Sequence, residues 1–210
     1  MSALVNPIVA RAEVVERYTH DDFMLLAPED KKAELIDGEI IVASPAFDSH
    51  ERLLGFLLTI LTAFVRHFKL GEVRGSRYAV RISERQTYEP DILFVRKERV
   101  HLITERELLE APDLVVEIIS ASTARYDRWI KREQYEKAGV SELWLIDPYG
   151  AAGTQFYQRR GEHLVEVAPV EGVIHSIALP NFRLKTAWLW PTANGELPDP
   201  IQVLRELGVI

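Results

Sequence analysis

Glu89-Pro90-Asp91-Ile92-Leu93-Phe94-Val95 and, further on, Pro112-Asp113-Leu114-Val115-Val116-Glu117-Ile118-Ile119-Ser120 decide how this chain is read. Each is a short apolar run rich in β-branched residues, the pattern of a buried strand. Each carries one carboxylate, Asp91 in the first and Glu117 in the second. A charge inside such a run is costly unless it is paired or bound to a metal. Val115, Val116, Ile118 and Ile119 leave Glu117 no polar face by alternation, so it is expected buried or lining a cleft. Asp91 follows Pro90 at a strand start, where a partly solvated carboxylate is equally ordinary.

Working outward, residues 123–138 read as a helix ended by Gly139, and Glu142-Leu143-Trp144-Leu145-Ile146-Asp147 as a buried strand closed by Pro148. Strand, helix, strand predicts a βαβ unit with parallel strands. Asp127, Lys131 and Tyr135 recur at i, i+4, i+8, one stripe of that helix. With Arg125, Arg128, Arg132 and Lys137 nearby, a solvated basic face is the plain alternative. Two acids on neighbouring strands with a lysine close by suit a divalent-metal site that activates water for phosphodiester cleavage.

Toward the N-terminus, Leu53, Leu57, Ile60, Leu61, Phe64 and Phe68 predict a core helix over residues 49–69, capped around Asp48 and stopped by Gly71. His50 lies in its first turn. Asp37-Gly38 between two apolar runs predicts a hairpin with a type I′ turn. Thr19 with Asp22 predicts a capped helix ending near Pro28. Strands are expected around 72–83 and 91–95, then a short helix opened by Thr104. Further strands are expected at 154–158, 163–167 and 173–177, and a short helix at 200–207. The predicted division is a lead-in over 1–18, one domain over 19–191 and a tail over 192–210.

The chain has 210 residues, 47% apolar and 27% charged, enough for one domain with a sizeable core. It has no cysteine, which excludes disulfides, thiolate zinc sites and a cysteine nucleophile. A net charge of −7 argues against a non-specific nucleic-acid coat, though not against a local basic strip beside an acidic metal centre. No run suits a membrane span and no signal-peptide core is seen, so a cytoplasmic protein is expected. No phosphate-binding Gly-x-x-x-x-Gly-Lys loop, Gly-x-Ser-x-Gly elbow or His-x-x-x-His pair is present.

Taken in order, Ala33-Glu34-Leu35-Ile36-Asp37-Gly38-Glu39-Ile40, Ser44-Pro45, His50, Glu89-Pro90-Asp91-Ile92, residues 111–120, Ser122-Thr123-Ala124, Lys131, Tyr135, Ala138-Gly139-Val140 and Trp144-Leu145-Ile146-Asp147-Pro148 resemble the Uma2 endonuclease family. That family, once a domain of unknown function, belongs to the restriction-endonuclease-like PD-(D/E)xK superfamily. The resemblance implies an α/β (α+β) fold with a mixed sheet flanked by helices, and an endonuclease that cuts DNA with Mg²⁺ or Mn²⁺. It implies Asp91 and Glu117 as metal ligands. The superfamily's lysine should stand at Ile119, so Lys131 is the candidate for a lysine that has moved to the following helix. Glu34 is implied as a supporting acid, and His50 and Tyr135 as phosphate or water contacts. Arg74, Arg77 and Arg81 could follow a DNA backbone. Ile119 also supports a competing reading, a domain that has lost cleavage and binds nucleic acid or protein. A homodimer is expected, and a regulatory dimer using Trp188, Trp190 and the tail is a further alternative.

Overall fold

The computed structural model describes residues 17–120 and 126–210. Helix α1 (His20–Leu26) opens on a capping box, the Thr19 hydroxyl accepting from the Asp22 amide and the Asp22 carboxylate from the Thr19 amide. Strands β1 (Ala33–Ile36) and β2 (Glu39–Val42) form the expected hairpin, with Asp37 and Gly38 at φ 51° and 82°. Helix α2 (Asp48–Phe68) follows, then β3 (Gly71–Gly75), β4 (Ala79–Ser83), β5 (Gln86–Tyr88) and β6 (Ile92–Arg96). Next come β7 (Glu107–Leu108) and β8 (Leu114–Ile118), then a π-helical segment, Tyr126–Lys131, that runs into α3 (Arg132–Ala138). The chain continues through β9 (Glu142–Ile146), β10 (Gln155–Arg160), β11 (His163–Val167), β12 (Val173–His175), β13 (Arg183–Lys185) and α4 (Pro200–Glu206).

Two mixed sheets are stacked. One runs β11-β10-β9-β8-β6-β3, the other β2-β1-β5-β4-β7, and β12 pairs β13 separately. Strands β8 and β9 are parallel, as the crossover predicts, while β6 and β8 are antiparallel. Alternation sorts the six-stranded sheet cleanly. Ile92, Phe94, Leu114, Val116 and Ile118 face α2 in the main core. Leu93, Val95, Val115 and Leu143 face the other way, where Ile36, Tyr88 and Val80 of the second sheet and Tyr135 of α3 meet them.

Several local expectations give way to long-range pairing. The strand expected over 72–83 is two, β3 and β4, which belong to different sheets and are separated at Ser76-Arg77, with Arg77 at φ 70°. No helix follows Thr104. Its hydroxyl does accept from the Arg106 and Glu107 amides, as a cap would, but the chain then extends as β7 beside β4. Glu107 is held there by His20, Nε2 to Oε2 2.8 Å. Residue Phe47, not Asp48, is the N-cap of α2, and Lys69 in the left-handed region ends it. The helix expected over 123–138 is π-helical before Lys131 and α-helical after it; residues 121–125 lie outside those described. Trp188 and one face of the tail helix are packed inward, whereas Ile201 and Ile210 remain exposed. Trp188 is buried, and Val203, Leu204 and Leu207 of the tail join the core against α2.

Candidate active site

The antiparallel register pairs Ile92 with Val116, so the next step outward sets Asp91 opposite Glu117. By alternation both side chains project toward the second sheet, on the side of Leu93 and Val115. Asp91 is 2% exposed. Its Oδ2 accepts from the Ile118 amide at 2.7 Å and lies 3.2 Å from His50 Nε2, and its Oδ1 accepts from Lys32 Nζ at 2.8 Å. Burial opposes the charge on Asp91, but Lys32 and His50 outweigh it and hold the carboxyl well below the usual range. Burial likewise opposes charge on Lys32 and His50, and the acids around them reverse it. Asp91, Glu117 and Glu34 raise the Lys32 pKa, and Asp91 raises that of His50.

Glu117 is held from the helix side. Lys131 Nζ donates to its Oε1 at 3.2 Å and the Tyr135 hydroxyl donates to the same oxygen at 2.9 Å. Lys131 also lies 2.8 Å from Glu34 Oε1 on β1, so one ammonium joins an acid of each sheet. Lys131 is 1% exposed, so it is not part of a solvated basic face. The wider π-helical winding ends at Lys131, and the first α-helical turn beyond it carries Tyr135 against the ring of Tyr88 at 5.4 Å. Burial, then the Glu117 charge, raises the Tyr135 pKa, so the phenol stays a donor. Ile119 packs into the apolar cluster of Val115 and Tyr135 on the same strand face as Glu117. A lysine is thus absent from the strand and present from the helix.

Behind these groups, Glu34 Oε1 accepts the Glu89 amide and Glu89 Oε2 accepts the Ala33 amide. Burial, helped by the Glu34 charge, pushes the Glu89 carboxyl up to about 7 against the pull of the Ala33 amide and Lys32. The acids and cations floor a pocket of about 790 Å³ that Lys32, Glu34, His50, Asp91, Glu117 and Lys131 line together. Tyr135 is not on its wall; it stands behind Glu117. Of the arginines, Arg77 reaches the rim, whereas Arg74 pairs with Glu72. The sequence reading missed Lys32. The signal was there: residues 32, 34 and 36 share one face of an extended strand, and Glu34 had already been singled out.

A family model described as "Uma2: Putative restriction endonuclease" matches residues 20–187. The fold resembles a crystal structure described as "a putative nuclease belonging to DUF820", from Anabaena variabilis. The TM-score is 0.67 at 18% identity, covering 81% of this chain and 96% of that one. No curated protein matches the chain. No helix among the described residues is long and apolar enough to cross a membrane.

Proposed function

This chain belongs to the Uma2 family, and we propose that within it the protein is a metal-dependent endonuclease that hydrolyses phosphodiester bonds of DNA over the pocket floor formed by Asp91, Glu117 and Lys131. The observation that carries the reading is the Lys131–Glu117 contact at 3.2 Å. It returns a lysine to the acid beside which the superfamily pattern requires one.

The donor set fits Mg²⁺ or Mn²⁺. Carboxylates of Asp91 and Glu117 and a carbonyl near Ile118 are hard oxygen ligands, with no thiolate and one imidazole nearby. Among the described residues no three His, Asp or Glu side chains converge as a metal cluster. Mg²⁺ keeps several of its waters and needs only one or two carboxylates, so the pair suffices. Asp91 and Glu117 would hold the ion, which supplies a bound water of lowered pKa and offsets charge on the phosphate.

The protein's own groups do the remaining work. Lys131 and Tyr135 fix Glu117 Oε1 by two hydrogen bonds, so the carboxylate cannot rotate away. Lys131 adds a positive charge beside the phosphate oxygens on which charge builds in the transition state. Lys32 and His50 keep Asp91 ionised in a buried site where it would otherwise take up a proton. Burial of Asp91, Glu117 and Lys131 at the floor lowers the local dielectric and strengthens each of these contacts.

The test is cleavage of supercoiled plasmid and labelled oligonucleotides in Mg²⁺ or Mn²⁺, with EDTA as control. Wild-type protein cuts with metal and not with EDTA, and Glu117→Gln does not cut. Metal-independent cutting, or none by well-folded wild type, contradicts the proposal.

A further inference from the structure

We propose that the pocket takes DNA as an unpaired strand, one base stacking on Phe47 at the rim while its phosphate reaches the floor. This rests on the nuclease reading above and adds the substrate class.

Depth is the first argument. Asp91 and Glu117 are each 2% exposed and Lys131 is 1% exposed. A scissile phosphate must come within one ion of those acids, with ligand bonds of ~2.0–2.6 Å. The pocket, about 790 Å³, falls in the size range of small-ligand sites, ~300–1,000 Å³. That volume accommodates one nucleotide. A stacked duplex is stiff, so bringing its backbone onto a recessed floor costs deformation energy that an unpaired strand avoids.

The wall is the second. Val42, Pro45 and Phe47 line the mouth, and the Phe47 side chain is 63% exposed. Phe47 is the N-cap of α2 and makes no capping hydrogen bond there. Ser, Thr, Asp and Asn are the residues that favour this position. An aromatic ring therefore sits on the surface where helix stability alone selects a small polar side chain. Its carbonyl accepts the His50 amide at 3.0 Å, and His50 in turn meets Asp91. Phe47 thus stands three residues, just under one helical turn, before a residue of the floor. Exposed aromatics of this kind stack bases without regard to sequence.

Charge is the third. Lys31, Lys32, Arg77 and Lys131 are offset by Asp30, Glu34, Glu51, Asp91 and Glu117 in the same pocket. A phosphate gains no net attraction there until a divalent ion adds its charge. Strand binding is therefore coupled to the ion, unlike coating by a basic surface.

The experiment uses the full chain and a 5′-labelled oligonucleotide as a single strand, as a duplex, and as a duplex with an unpaired bubble. Binding is read by anisotropy in Ca²⁺ and cleavage in Mg²⁺ or Mn²⁺. Single-strand and bubble substrates should exceed duplex about tenfold in both readouts. Phe47→Ala should weaken single-strand binding about tenfold, a loss of ~1.4 kcal/mol, with its melting temperature unchanged. Phe47→Tyr should retain binding. Equal handling of duplex and single strand, or a Phe47→Ala variant that binds as wild type, overturns the inference. So does Phe47-dependent self-association without DNA, which would make a second copy the occupant. If wild type cuts nothing, the nuclease reading fails, and the binding arm alone decides: a metal- and Phe47-dependent preference for single strand supports the inference, and its absence overturns it.

Discussion

Lys131 donates to Glu117 across fourteen residues of chain, Nζ to Oε1 3.2 Å, with both side chains 2% exposed. The same ammonium lies 2.8 Å from Glu34, so it ties β8 of one sheet to β1 of the other at the floor of the pocket. Breaking one partner out of such a buried pair strands a charge in low dielectric, typically at a cost of ~3–5 kcal/mol. The arrangement is structural, and on the proposed reading it is chemical as well, so its variants are read with both in mind.

Lys131→Ala should cut DNA cleavage by about two to three orders of magnitude, as loss of one transition-state charge contact does. It should also lower the melting temperature of the metal-free protein, because Glu117 and Glu34 lose their shared cation. Lys131→Arg should restore stability better than rate, since the guanidinium carries the charge in a different shape. Lys137→Ala is the control. Its side chain is 62% exposed and pairs with Glu133 on the surface, so rate and melting temperature should both match wild type. Cleavage by Lys131→Ala at the wild-type rate would remove the lysine from the chemistry.

Glu136 anchors the helix that carries Tyr135. Its carboxylate accepts the Leu164 amide at 2.6 Å, and this bond is the first cause that holds its pKa below the usual glutamate value; burial opposes and His163 assists. A depressed carboxylate contributes stability that is complete above the unfolded pKa, about 4.3, and is lost as pH falls through the folded value. Melting temperature should therefore drop more steeply below pH ~4.5 in wild type than in Glu136→Gln. Parallel profiles down to pH ~3 would show that the helix is not held by this charge.

Legibility followed the range of the forces. The Thr19–Asp22 cap, the Asp37-Gly38 turn and the apolar stripe of α2 are settled by neighbours in sequence, and the structure has them. Glu117 was legible because no alternation could solvate it. The split of 72–83 between two sheets and the extension of β7 beside β4 were not, because pairing partners far along the chain decide them. The π-helical winding before Lys131 escaped a 3.6-residue period for the same reason that i+5 bonding leaves no apolar repeat. Lys32 escaped because only one strand face, not a motif, connects it to Glu34.

Lys32 and a metal ion would compete for Asp91. Lys32 Nζ is 2.8 Å from Oδ1 and its side chain is 24% exposed, so it can swing outward once the ion arrives. Lys32→Met should lower the melting temperature of metal-free protein, since Asp91 keeps only His50 and the Ile118 amide. It should tighten Mn²⁺ binding, measured by calorimetry, by roughly tenfold. Weaker binding in the variant would mean that Lys32 prepares the site rather than competes for it.

On the proposed function, Asp91 and Glu117 share one divalent ion. The most direct measurement is the anomalous difference map of a crystal soaked in Mn²⁺, compared with one of the Glu117→Gln variant. One peak bonded to both carboxylates at ~2.0–2.6 Å is expected in wild type and none at that place in the variant. A wild-type map with the ion elsewhere, or with Lys32 still on Asp91 and no peak beside it, would rule out a shared ion.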